Sequence, residues 1–123
     1  MKSCILVTAA GGPGAVNMTR SLLKDPELVL VGCDASKYFI HLALTPTKEW
    51  VPRCSETDAY LAAINAICRK YSVDLIMPNN SLEAHVLSAH RQHLEAAVFL
   101  PSTECLDSAN SKWRSWQIWN QAG

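Results

Sequence analysis

Four groups of residues carry the types and spacing that chemistry would use. Gly11, Gly12 and Gly14 punctuate "ILVTAAGGPGAVNMTRSLLK" where an apolar run passes into a helical one. Glycines there remove side chains from a sharp turn and leave N–H groups free to face an anion over a helix N-terminus. The same glycines also serve close packing of a helix on a sheet. Asp34 closes the apolar run "LVLVGCD" 20 residues beyond Gly14. A nicotinamide-binding domain holds its ribose with a carboxylate at that distance, and a solvated carboxylate at a strand end fits the spacing equally. "MPNNSLEAH" offers Asn79, Asn80, Ser81 and Glu83 for hydrogen bonds to a small polar ligand. Within it, Asn80 and Ser81 read more simply as a Pro-Asn turn and a Ser81 helix cap, with Glu83 in a first turn whose dipole favours a carboxylate. "PS" at Pro101 and Ser102 is the fourth group.

The elements that must position these groups alternate between strand and helix. "CILVT" (4–8) reads as a strand buried on both faces, and Ala15 to Lys24 as a helix stopped by Asp25-Pro26. "LVLVGCD" is the second strand, and together they make a βαβ opening. Residues 35–47 show no period and read as a loop or short helix, with an edge strand near "EWVP" (49–52). Thr57 to Tyr71 places Tyr60, Leu61, Ile64, Ile67 and Cys68 on one helical face, capped near Thr57 or Asp58. "VDLIMP" reads as a further strand, and "SLEAHVLSAHRQHLE" as a helix burying Leu82, Val86, Leu87 and Leu94. "AVFLPS" then reads as a strand, "STECLD" as a short helix and Lys112 to Gln121 as the last helix. Such alternation predicts an open, mostly parallel, three-layer α/β sheet with helices on both faces. Ligands of such sheets bind at the carboxyl ends of the strands, where all four groups fall.

The remaining features narrow the function classes. The chain has 123 residues, 49% of them apolar, and eleven basic residues balance eleven acidic ones. That composition suits one compact domain and advertises neither nucleic acid nor an anionic membrane surface. Five scattered cysteines without a C-x-x-C pair suggest reduced thiols in the cytoplasm. "MKSCILVTAA" is too short in its apolar part for a secretory leader and reads as a strand. His85, His90 and His93 share a helix but lack the companions of a metal site, so no metal ligand is assigned. Trp113, Trp116 and Trp119 form one aromatic stripe, explained by core packing or by docking onto a neighbour. A strict G-x-G-x-x-G fingerprint would need glycine at Asn17, and its T-G-x-x-G-x-x-G variant would need glycine at Ala9 and Ala15.

With "ILVTAAGGPGAVNMTRSLLK", "LVGCDAS", "VDLIMPNNSLEAHVL", "VFLPSTECL" and "SKWRSWQIWNQAG" in this order, the chain resembles the N-terminal pre-ATP-grasp domain of ATP-grasp ligases. The likeness is to members similar to the carbamoyl-phosphate synthase large subunit. The resemblance implies a Rossmann-like domain over residues 1–110 and a terminal helix, 111–123, leading into an ATP-grasp segment that these residues do not contain. It implies an enzyme that uses ATP and magnesium to convert a carboxylate into an acyl phosphate, which an amine or another nucleophile attacks. Gly11, Gly12, Gly14, Asn17, Asp34, Asn79 and Glu83 would then line the substrate pocket. The family's acidic pair is reduced here to Glu83. Ser111-Lys112 stands where the family has Asp-Lys, so Lys112 becomes the candidate ATP contact. On this reading the 123 residues are the substrate-side part of a longer ligase, inactive alone, with no catalytic residue of their own and no tightly bound cofactor. The expected partners are a small carboxylate or amine substrate and the grasp domain, with homodimerisation left open. Two other readings remain: an NAD(P)-binding Rossmann domain of a small oxidoreductase or sensor, and a stand-alone binding module using the tryptophan helix.

Overall fold

The computed structural model describes residues 1–123 as five parallel strands flanked by helices. Strand β1 (Ser3–Val7) is central. It pairs with β2 (Leu28–Asp34) on one side and with β4 (Leu75–Met77) on the other. Strand β3 (Thr47–Trp50) extends the sheet beyond β2, and β5 (Ala97–Val98) extends it beyond β4, giving the order β3-β2-β1-β4-β5. The expected α/β class with a parallel sheet and helices on both faces is what the chain forms.

Two faces are covered because each central strand is apolar at both parities. Cys4, Leu6, Val31, Cys33 and Ile76 point to one face. There they meet Tyr60, Ile64, Ile67 and Cys68 of helix α2 (Thr57–Tyr71) and Leu87 of helix α3 (Ser81–Ala89). Ile5, Val7 and Leu30 point to the other, where Ala15, Met18 and Leu22 of helix α1 (Pro13–Leu22) pack with Ile40 and Ala43. Each fully buried large side chain in these clusters contributes roughly 1.5–3 kcal/mol.

The ends of the elements are set locally. Helix α2 stops at Ser72, which turns left-handed (φ 51°, ψ 53°) and returns its N–H to the Cys68 carbonyl. Asp74 then accepts the Cys4 amide at 2.8 Å, tying the start of β4 to β1. Residues 35–47 contain a single 3-10 turn, Phe39–Leu42, matching the loop or short helix expected there.

Several expectations are corrected. The edge strand lies at Thr47–Trp50 rather than 49–52, because the free edge of β2 selects its partners in the register Val31↔Thr47 to Asp34↔Trp50. Helix α3 is shorter than the pattern over 81–95: it ends at Ala89 and gives way to a 3-10 turn, Arg91–His93. Its cap is Asn80, whose Oδ1 accepts the Leu82 and Glu83 amides, and not Ser81. Leu82 points outward, 67% exposed, because Ala84 and Leu87 take the buried positions of that helix. Neither Thr57 nor Asp58 caps α2; Glu56 holds the N-cap position without a side-chain bond.

Helices α4 (Thr103–Asn110) and α5 (Lys112–Ala122) close the chain. No residue of α5 is buried, so core packing does not account for its tryptophans. Trp113 and Trp116 stack on one another at 5.0 Å between ring centroids and stay in solvent. No helix is long and apolar enough to cross a membrane.

Candidate functional site

The carboxyl ends of β1, β2, β3 and β4 open onto three adjoining hollows, and Asp34 lines all of them. The first, of about 490 Å³, runs along the start of α1 past Gly12, Pro13, Gly14 and Ala15 to Asn79, Asn80 and Ser81. Next to it, a pocket of about 320 Å³ lies between Ala9, Asp34, Arg53, Asn80 and Glu83. The third, of about 490 Å³, continues past Ser36, Lys37, Trp50, Arg53 and Glu56. Parallel strands deliver these residues to one edge because every crossover returns the chain to the same end of the sheet.

The glycine loop divides into two kinds of position. Gly11 is buried beneath the Phe39–Leu42 turn: a Cβ there would run into the Phe39 carbonyl group. It therefore keeps that turn close to the sheet and lies outside the hollows. Gly14 is exposed on the first, with no heavy atom near the position of a Cβ. Pro13, at the first helical position, has no amide to leave unpaired, and the Gly14 and Ala15 amides that follow it, on residues lining the hollow, have no intrahelical acceptor.

Ala9 sits at φ 47°, in the left-handed region. A non-glycine residue there costs about 1–2 kcal/mol, so the loop follows glycine-like geometry at a position where the sequence has alanine. Ala15, likewise read against a dinucleotide fingerprint, is buried at the contact of α1 with the sheet, a position where alanine serves as well as glycine.

Asp34 is spent internally. Its Oδ2 accepts the Gly11 amide at 3.0 Å and its Oδ1 accepts the Ser36 amide at 2.8 Å. Each oxygen has capacity for a further hydrogen bond, and Asp34 borders all three hollows. Asn79 fastens two loops, donating from Nδ2 to the Thr8 carbonyl at 3.2 Å and to the Met77 carbonyl at 3.0 Å.

Glu83 is the most unusual group of the edge. It is 6% exposed, yet it borders the 320 Å³ pocket. Tyr60 donates its phenol proton to Oε1 at 2.7 Å, and the Thr8 hydroxyl lies 3.4 Å from Oε2. Burial is the main cause that raises its pKa above the ordinary carboxylate value; the Tyr60 bond works against this and the charge of Asp34 adds to it. Tyr60 is pushed up in turn by burial and by the neighbouring Glu83, so it remains a proton donor at neutral pH.

Among the residues named from sequence, Gly12, Gly14, Asp34, Asn79 and Glu83 meet along this edge. Asn17 is exposed on α1, where its Oδ1 accepts from Arg20 at 3.4 Å, and it lines none of the three hollows. Lys112 is exposed at the start of α5 and also lines none of them. Of the histidines, His85 engages Asp107 and Asn110, and His90 the Val86 carbonyl.

Arg53 escaped the sequence reading. It is exposed, lines two of the hollows and forms no salt bridge. Its one sequence signal was its place just after an edge strand, at the end of the sheet where ligands bind.

No protein-family model and no curated protein matches the chain. Among solved structures, it is similar to a dTDP-glucose 4,6-dehydratase from Bacillus anthracis str. Ames in complex with NAD, with a TM-score of 0.54 and 15% identity. The fold is Rossmann-like. The likeness covers 78% of this chain and 36% of the dehydratase, so the chain spans about a third of that protein's length. At this identity the likeness establishes the fold alone.

Proposed function

We propose that the edge formed by Asp34, Asn79 and Glu83 binds the small polar substrate of an ATP-dependent carboxylate ligase. The observation that carries this reading is the buried Glu83, held by Tyr60 and Thr8 at the rim of a 320 Å³ pocket. A carboxylate kept in such a place at a cost in desolvation suits recognition of a small ligand. The order of the five motifs that resemble the pre-ATP-grasp domain supports the same assignment, although Asn79, Asn80 and Ser81 follow the proline where family members commonly carry an acidic pair, and Glu83 alone is acidic there.

In this reading the chain orients substrate, while ATP and magnesium are handled by a grasp segment outside these residues, with Lys112 as the contact that approaches ATP. Residues 1–123 alone are expected to show no substrate-dependent ATP hydrolysis in a coupled assay. Turnover by this polypeptide would overturn the assignment of chemistry to another segment.

The second reading is an NAD(P)-binding domain. It is favoured by the strand order, by the glycine-like conformation of Ala9 and by the likeness to an NAD-bound dehydratase. Thermal-shift titration with NADH, ATP and a panel of amino and carboxylic acids separates the two. Stabilisation by NADH alone would sink the ligase reading.

A further inference from the structure

The 320 Å³ pocket has a charge pattern that specifies more than its position does. Two carboxylates border it, Asp34 at 7% exposure and Glu83 at 6%. Neither forms a salt bridge with a basic side chain. Their other partners are uncharged: two backbone amides for Asp34, and the Tyr60 and Thr8 hydroxyls for Glu83. Two nearby buried anions without a counter-cation repel one another, and a cationic group arriving between them would relieve this repulsion. The acceptor sites left on each carboxylate suit an ammonium, which has three donors.

Arg53 borders the same pocket with no acidic partner. Its planar guanidinium matches a carboxylate in a two-pronged geometry. Positive and negative recognition groups thus line one small space. The rest of its lining includes the apolar Ala9, Ala35 and Leu82. Ligand sites run from roughly 300 to 1,000 Å³, so this pocket suits a small molecule rather than a dinucleotide.

We propose that the pocket binds a small zwitterionic α-amino acid, its ammonium held by Asp34 and Glu83 and its carboxylate by Arg53. The inference rests on the reading of this edge as the ligand site and names the class of ligand. An apolar side chain of about the size of alanine or valine would face Ala9, Ala35 and Leu82.

The test is calorimetric titration of residues 1–123 with L-alanine, L-valine, N-acetyl-L-alanine and L-alaninamide, with ATP and NADH alongside. The free amino acids should bind, and both N-acetylation and amidation should weaken binding by about tenfold or more, as expected for losing a charge-assisted contact. Glu83→Gln should weaken the free amino acids by a similar factor while its circular dichroism and melting show a folded domain. Arg53→Gln should weaken L-alanine but leave L-alaninamide unchanged, which a merely structural role for Arg53 would not produce. Equal binding of N-acetyl-L-alanine and L-alanine overturns the proposal. If ATP or NADH binds and neither amino acid does, the ligand class is wrong while a ligand site survives; if none binds, the site reading fails with it.

Discussion

The Asp34 carboxylate, at the end of β2, accepts the amide of Gly11 in the loop after β1 at 3.0 Å. This contact joins segments 23 residues apart in sequence and holds the glycine loop against its neighbouring strand end. Its second oxygen holds the Ser36 amide, so one side chain shapes the openings of two loops at once. Asp34→Asn presents an amide group where an acceptor is needed. It is expected to cost about 1–3 kcal/mol, read as a lower denaturant midpoint with an unchanged m-value.

The glycines of the loop should respond differently to the same substitution. Gly11→Ala pushes a methyl group into the Phe39 backbone and is expected to cost roughly 1–3 kcal/mol or more. Gly14→Ala meets open space within α1 and should stabilise by about 0.5–1 kcal/mol. Chemical denaturation of the two variants in parallel checks the contrast, and equal effects would refute the division of the loop into packing and open positions.

Ala9→Gly relieves a left-handed alanine. A gain of about 1 kcal/mol is expected, the reverse of the usual penalty for introducing glycine. A loss of stability would mean that the methyl group makes a contact outweighing the backbone strain.

Two glutamates give opposite pH signatures. Burial raises the Glu83 value, so between the ordinary carboxylate range and that raised value the folded state holds a proton the unfolded chain has released. Stability from this group therefore falls as pH rises through the window. Glu83→Gln should raise the melting temperature by a few degrees at neutral pH, with the gain vanishing in acid. Glu49 is lowered by hydrogen bonds from Lys70, at 2.6 Å, and Tyr71. Its contribution is present above the ordinary value and is lost as pH falls through the lowered one. Glu49→Gln should cost no more than about 1 kcal/mol near neutrality, since Lys70 is exposed. Melting curves of both variants from acid to neutral pH read the two slopes.

The aromatic stripe of α5 is not part of the core. Trp119→Ala removes a side chain that is 73% exposed and should change stability by no more than about 0.5 kcal/mol. A loss of several kcal/mol in equilibrium unfolding would show that the stripe is covered in solution.

What the amino-acid order determined by itself was local. The apolar run Leu28–Asp34 and the helical spacing from Thr57 to Tyr71 became β2 and α2 with those bounds, because strand and helix periods are properties of neighbouring residues. The α/β class and the placing of Asp34 and Glu83 at the strand-end edge followed from the same alternation. Tertiary structure decided the rest. Sequence treats Gly11 and Gly14 alike; only the return of Phe39 over the loop makes the first a packing position. Leu82 faces solvent, and Thr47 rather than Glu49 begins the edge strand, because the helix surface and the free edge of β2 select partners no local window contains. Arg53 and Glu83 line one pocket, and Tyr60 donates to Glu83 across 23 residues, because strand order brings those loops together. Local periodicity names the elements; long-range pairing of strands and the burial of charge determine which side chains share a pocket.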